Sequence, residues 1–250
     1  MKKFSAREKR FKPENNLNEP FQPEIRNSNS EIEDKPLGYI IQNLERTFGT
    51  PALRPKSDPL EMLIRVVLSQ ATTDVLSERT FQSLTAKFKT WEDVLVADPS
   101  EVADSIKLGG LANQKAKVIK ELLSNVKAEN GSLNLGFLQD LPTREAVTYL
   151  KKFRGIGPKT IACTLLFACH KNIFPLDTHI FRVLRRVGIV PLKCSDERAH
   201  EILDAVVPEG KFYSLHVNLI RLGRKVCRPQ EPFCERCPIV EYCDFGQTRI

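Results

Sequence analysis

The chain has 250 residues, 41% hydrophobic and 28% charged, with a formal net charge of +7, the composition of a soluble protein with one large or two modest cores. Its longest apolar runs, such as Thr164 to Cys169, fall far short of the roughly 18 residues of a membrane-crossing helix. The charged N-terminus also lacks the apolar stretch of a secretion signal, so an intracellular protein with no membrane partner is expected.

From Met1 to about residue 35 the sequence is rich in Asn, Pro, Glu and Lys, and burial cannot offset its ordering entropy, so residues 1–35 are expected to form a disordered arm. Its first dozen residues carry six basic side chains against one acid, the pattern of a nuclear address, an extra DNA contact or a plain solvated tail. Beyond the arm, apolar residues recur at helical spacing and the breaks are Gly, Pro, Asp or Asn. Ile40, Ile41, Leu44 and Phe48 mark a first helix ending near Gly49; Asp58-Pro59 opens the next, with Leu60, Leu63, Ile64, Val67 and Leu68 on one stripe. Further helices are expected at about 73–87, 91–96, 99–106, 112–128, 134–139, 143–152, 158–170, 178–187, 195–206 and 211–225. The chain reads as all-α, with no internal repeat of solenoid type.

Between two of these helices, Gly155-Ile156-Gly157 permits a tight turn before Pro158 at the first helical position, and such a hairpin presents unpaired backbone N–H groups to a phosphate. Residues 151–190 hold eight Lys or Arg against one acid, Asp177, a local excess equal to the charge of the whole chain. A polyanionic partner fits that concentration, and a solvated basic face is the plainer alternative. Lys159 lies at the positive end of a helix dipole among other cations, a setting that favours a free amine able to attack a sugar carbon; a simple phosphate contact is the other reading. Asp177 precedes a helix starting at Thr178, so it reads as an N-cap that can also face positive charge developing on a sugar. His179 reads as a phosphate contact or a structural histidine.

The C-terminal cysteines run Cys227-x6-Cys234-x2-Cys237-x5-Cys243, four in seventeen residues with no histidine between them. A single short knuckle favours a cysteine-ligated iron–sulfur cluster, with zinc as the alternative. Cys163, Cys169 and Cys194 are expected to be small buried hydrophobes.

Taken together, Leu68-Ser-Gln-Ala-Thr-Thr-Asp74, the hairpin with Lys159, Leu176-Asp-Thr-His-Ile-Phe-Arg182 and the cysteine spacing resemble the endonuclease III family of helix-hairpin-helix DNA glycosylases. The likeness spans about Leu37 to Cys243, and the stretch Phe153 to Pro191 is also similar to plant endonuclease III-like glycosylases. It implies a two-lobed fold: a six-helix barrel over 58–171, ending in the helix-hairpin-helix at about 146–170, and an iron–sulfur lobe from 36–57 with 172–250. It further implies one [4Fe–4S] cluster on Cys227, Cys234, Cys237 and Cys243, and a monomer acting on double-stranded DNA with a damaged base or abasic site. Lys159 falls on the family's Schiff-base lysine and Asp177 on its catalytic aspartate. The flipped base, an oxidised pyrimidine by default, would be excised and the strand cut by β-elimination. DNA contacts would fall on Gly155, Gly157, Thr160, Gln70, His179 and Arg182, with Leu111 as an apolar wedge or a core residue. Arg221, Arg224, Lys225 and Arg228 beside the cluster would face phosphate. Gln70 stands one position earlier than the gap-filling glutamine of bacterial endonuclease III when Asp74 is aligned, and Pro158 replaces a common basic residue. A 5-methylcytosine or mismatch glycosylase of the same fold, an adenine glycosylase relative and a non-catalytic iron–sulfur DNA-binding module are the alternatives.

Overall fold

In the computed structural model, which describes residues 37–250, every regular element is helical, and no strand occurs among those residues. The expected N-terminal arm lies outside the described residues. Helices α1 (Leu37–Phe48), α2 (Pro59–Ser69), α3 (Asp74–Lys87), α4 (Trp91–Val96), α5 (Pro99–Ile106) and α6 (Ala112–Asn130) lead to α7 (Thr143–Leu150) and α8 (Pro158–Cys169). They are followed by α9 (Thr178–Val187), α10 (Asp196–Val206), α11 (Phe212–Lys225) and the short α12 (Asp244–Gln247).

Local chemistry sets many of these boundaries. Asp58 Oδ1 accepts from the N–H groups of Leu60 and Glu61 at 2.7 and 3.1 Å, and Pro59 opens α2 where its missing donor is not needed. Thr90 with Asp93, and Asp98 with Glu101, form reciprocal capping boxes at α4 and α5. Gly131 and Gly188, at φ +71° and +91°, end α6 and α9 in left-handed backbone. The helix expected at 134–139 is instead a single 3-10 turn, Gly136–Gln139. There the Asn134 side chain accepts from Gly136 N–H at 2.6 Å, and the N–H groups of Leu138 and Asp140 bond three residues back to Leu135 and Phe137. Such i to i+3 bonding gives one turn and no more.

Helix α8 is buried on almost every side, from Thr160 to Cys169 with only Phe167 partly open. An all-round apolar helix belongs at the centre, and α8 packs against α2, α7 and α11. Around α2 lie α3 and α6, with α5 bridging α3 and α6 and α4 resting on α6. On the other side α1 and α9 both pack on α11, and α12 rests on α9. Glu45 of α1 accepts from Lys211 Nζ at 2.9 Å and Ser214 Oγ at 2.7 Å, fastening α1 to the start of α11. The consequence for function is positional: the N-terminus of the central helix, with Lys159, opens where the α2–α8 helices meet α9 and α11.

Candidate active site

The hairpin before α8 has two glycines with different reasons. Gly155 takes φ +83°, and a Cβ there would sit 3.1 Å from Val118 Cγ2. Gly157 meets nothing within 4 Å, so no packing inside the protein calls for a glycine there, and the backbone is open to an incoming group. No side chain caps α8, which leaves its first N–H groups to an outside acceptor. Lys159, in this first turn, is exposed.

Asp177 sits half-buried as the N-cap of α9, where its Oδ1 accepts from Ile180 N–H at 2.7 Å. The other carboxylate oxygen has no protein partner among the described residues. Lys159 and Asp177 line one cleft of about 1030 Å³. Its walls come from the segment Ser69 to Asp74, from Lys159, Cys163 and Phe167 of α8, from Asp177 to His179, and from His216 to Arg224 of α11. A second opening of about 650 Å³ shares Lys159 and Asp177 and is flanked by Arg182, Arg185 and Arg186.

Across the cleft mouth Arg224 of α11 grips Asp74 of α3 through both nitrogens, at 2.6 and 3.1 Å. The guanidinium hydrogen bonds hold the Asp74 carboxyl below the usual carboxylate range, and the carboxylate raises Arg224 in return. Both ends are open to water, so this latch contributes under about 1 kcal/mol.

Gln70 and Ala71 form the rim at the end of α2. Gln70 is exposed, with its amide 3.4 Å from Thr160 Oγ1, and Ala71 takes a left-handed φ of +52°. Leu111 projects from the rim of α6, 56% exposed, at φ +51° beside Gly110 at +69°. It is therefore not a core residue. Beneath it Lys115, 2% exposed, donates from Nζ to Leu68 O and Gly109 O, each at 2.9 Å. That buried ammonium staples the Leu111 loop to the end of α2, and burial pushes its pKa down.

Several residues expected at the DNA make contacts within the protein. Thr160 is only 4% exposed, its hydroxyl turned toward Gln70, because the third residue of α8 already faces the core. Arg182 donates to Cys227 O and Gly223 O at 3.0 and 2.9 Å and thereby braces α9 against the end of α11. Arg185 and Arg186 likewise donate to the carbonyls of Cys194, Arg228 and Pro229, and Lys171 to those of Gln139 and Leu141. Arg221 donates to Phe48 O at 2.9 Å, and Arg224 is committed to Asp74. Half of the eight basic residues in 151–190 thus hold backbone together. Lys151, Arg154 and Lys159 remain exposed about the hairpin. His179 lines the cleft with its Nδ1 3.2 Å from Arg182 Nη2. Cys163 and Cys169 are buried as expected, whereas Cys194 is only half-buried.

Cys227, Cys234, Cys237 and Cys243 line a single small cavity with Val226, Phe233, Val240 and Phe245. Burial first, and then the neighbouring cysteines, push the Cys237 thiol up to about 11, so four thiolates here call for a cationic centre. Arg186 Nη1 and Gly246 N–H each lie 3.2 Å from a sulfur, of Cys227 and Cys243 respectively. Among the described residues no three His, Cys, Asp or Glu side chains close around one ion. Zinc would draw its sulfurs to about 2.3 Å from a common point. Four cysteines around one cavity, two of them receiving N–H groups, form a donor set for a cysteine-ligated metal centre.

Lys115 and His216 escaped the sequence reading, although a signal was present. Each is a polar residue on an apolar stripe: Lys115 with Ile119, Leu122 and Val126, His216 with Phe212, Leu215, Leu219 and Leu222.

The HhH-GPD superfamily of base excision DNA repair proteins matches residues 64–209. A protein of Arabidopsis thaliana named as a DNA glycosylase is 35% identical over 195 residues, 74% of this chain and 67% of that protein. Endonuclease III of Thermotoga maritima is 30% identical over 199 residues, 80% and 89% of the two chains. A solved endonuclease III, trapped as a covalent intermediate with DNA, superposes with a TM-score of 0.72 at 26% identity, covering 85% of this chain and 96% of that one. The chain belongs to the HhH-GPD superfamily of base excision DNA repair proteins, as an endonuclease III-like DNA glycosylase.

Proposed function

We propose that the protein removes a damaged base, by default an oxidised pyrimidine, from double-stranded DNA and then cleaves the abasic strand. The reading assigns the DNA to the face between the 58–171 helices and the lobe of 36–57 with 172–250, approached by a monomer. The Gly155–Gly157 backbone and the uncapped start of α8 receive a phosphate. Leu111 enters the stack, Gln70 stands at the same rim, and the extruded nucleotide occupies the cleft.

There the Lys159 amine bonds to C1′ as the N-glycosidic bond breaks, and the departing base takes a proton. The unpartnered oxygen of Asp177 faces the positive charge on the sugar. The sugar ring then opens, the C1′–O4′ bond breaking and O4′ taking the amine proton, to leave a Schiff base that acidifies C2′; loss of the C2′ proton breaks the C3′–O bond, and hydrolysis frees the lysine. No electrons are transferred overall. A [4Fe–4S] cluster on Cys227, Cys234, Cys237 and Cys243 would supply a rigid centre fixing the C-terminal loop.

The carrying observation is that an exposed lysine at an uncapped helix start and an aspartate with one free oxygen line the same cleft. Borohydride should trap the protein covalently on abasic DNA, and Lys159→Ala should abolish that product. A covalent adduct that persists in the variant rejects the lysine.

A further inference from the structure

Beyond Lys159 and Asp177 the cleft holds a nearly buried polar group to which the mechanism gives no role. His216 of α11 lines the cleft yet is only 4% exposed. Its Nδ1 lies 3.1 Å from Pro175 O. A carbonyl oxygen can only accept, so Nδ1 carries the ring proton and Nε2 presents a bare lone pair. Nε2 has no protein partner, and it is not among the fully enclosed polar atoms left without one. It therefore opens on the cleft. The rings of Phe167 and Phe174 stand edge-on to the imidazole at 5.3 and 6.0 Å, so its aim is set before any ligand arrives.

Several apolar side chains share the cleft with it. Cys163, Phe167, Val217 and Ile220 line the same cleft, and burial pushes the Cys163 thiol up to about 12. Burial also pushes His216 down to about 4, with Asp177 and Lys159 as the nearby charges acting in opposite directions. A neutral ring in an apolar setting, with one lone pair pointing inward, is a hydrogen-bond acceptor and a poor proton-transfer group.

We propose that His216 reads the extruded base, its Nε2 accepting from a base N–H such as the ring imide N3–H of a uracil- or thymine-derived pyrimidine. The inference rests on the glycosylase reading above and adds a residue that determines its specificity. A site built around a buried acceptor rejects a ligand lacking the donor, because the acceptor is left unpaired, and such sites discriminate by factors of about 10⁴ to 10⁵.

The test uses duplexes carrying 5,6-dihydrothymine or its N3-methyl analogue, scored for base release in single turnover. N3-methylation abolishes pairing and so eases extrusion; without a reader, the methylated base leaves at least as fast. The expected result is a loss of at least about 100-fold on methylation. His216→Phe, which keeps a packed ring without the lone pair, should bring the two rates within about threefold of one another. Equal release by the wild type, release of neither base, or a ratio unchanged in His216→Phe overturns the proposal. Should that variant fail to fold, His216→Leu replaces it and is read in the same way. Borohydride trapping on preformed abasic DNA contains no base, so its failure strikes the lysine chemistry and not His216.

Discussion

The cleft and the cysteine loop are built in opposite ways. The four cysteines fall within seventeen residues and reach one cavity through local turns, Cys234–Arg236 and Val240–Tyr242, with α12 closing the loop. The cleft draws on residues from Val66 to Arg224, brought together only because α8 runs through the centre and α11 packs across it. A ligand set that is local in sequence declares itself by spacing, whereas an assembled cleft depends on long-range packing. Damage to the loop should accordingly be structural, and damage at the cleft chemical.

The largest separation should come from Asp177→Asn. Asparagine caps a helix nearly as well as aspartate, so α9 should keep its stability to within about 0.5 kcal/mol. Base release, followed in single turnover, should fall by roughly 10²- to 10⁴-fold. A loss of melting temperature matching the loss of activity would make Asp177 merely a cap. Cys237→Ala should do the reverse, lowering iron content and melting temperature together and taking DNA affinity with them. Iron retained at the wild-type ratio in that variant would remove Cys237 from the ligand set.

Lys115→Met probes the seam between the two kinds of damage. It strands two buried carbonyls, Leu68 O and Gly109 O, at about 1–3 kcal/mol each before relaxation. It also frees the Leu111 loop. Base release should suffer more than trapping on preformed abasic DNA, where no stacked base needs extruding, while denaturant melts measure the stability cost. Equal loss of both activities would make Lys115 a fold residue only.

The smallest effect concerns pH, where two carboxylates carry opposite signs. Arg224 lowers Asp74 in the folded state, so its small contribution is present at neutral pH and fades as pH falls through that lowered value. Burial raises Asp204 to about 6, although it accepts from Phe174 N–H at 2.7 Å. Its folded value lies above its unfolded one, so the fold gains stability as pH falls from about 6 toward 4 and lacks that gain at pH 8. Asp204→Asn keeps an acceptor without the charge. Its melting temperature relative to wild type should be higher at pH 8 than at pH 4; a constant difference would show that Asp204 does not titrate as described.

Helix periodicity and caps carried most of the fold, because Asp58-Pro59, Thr90, Asp98 and Asp177 act on N–H groups two or three residues away. The turn at Gly136–Gln139 was misread since Leu135 and Leu138, three apart, suit a 3-10 turn as well as a helix. Basic residues were harder. Lys171, Arg182, Arg185 and Arg186 have the charge that phosphate seeks, yet backbone carbonyls of other segments occupy them. Charge is written in the sequence, but whether a guanidinium meets solvent or a carbonyl depends on its neighbours.

By itself the sequence determined the helical architecture, the four-cysteine spacing, the glycine hairpin before Lys159 and the family likeness, all set by bonds and spacings within a few turns of chain. Tertiary structure alone decided that Lys159 and Asp177 share a cleft, that Lys115 holds the Leu111 loop, and that His216 lines the cleft with its Nδ1 against Pro175 O. The physical reason is that hydrogen-bond partners such as Leu68 O and Pro175 O lie 47 and 41 residues from their donors. No local pattern encodes a meeting at that distance; it follows from which apolar faces pack together.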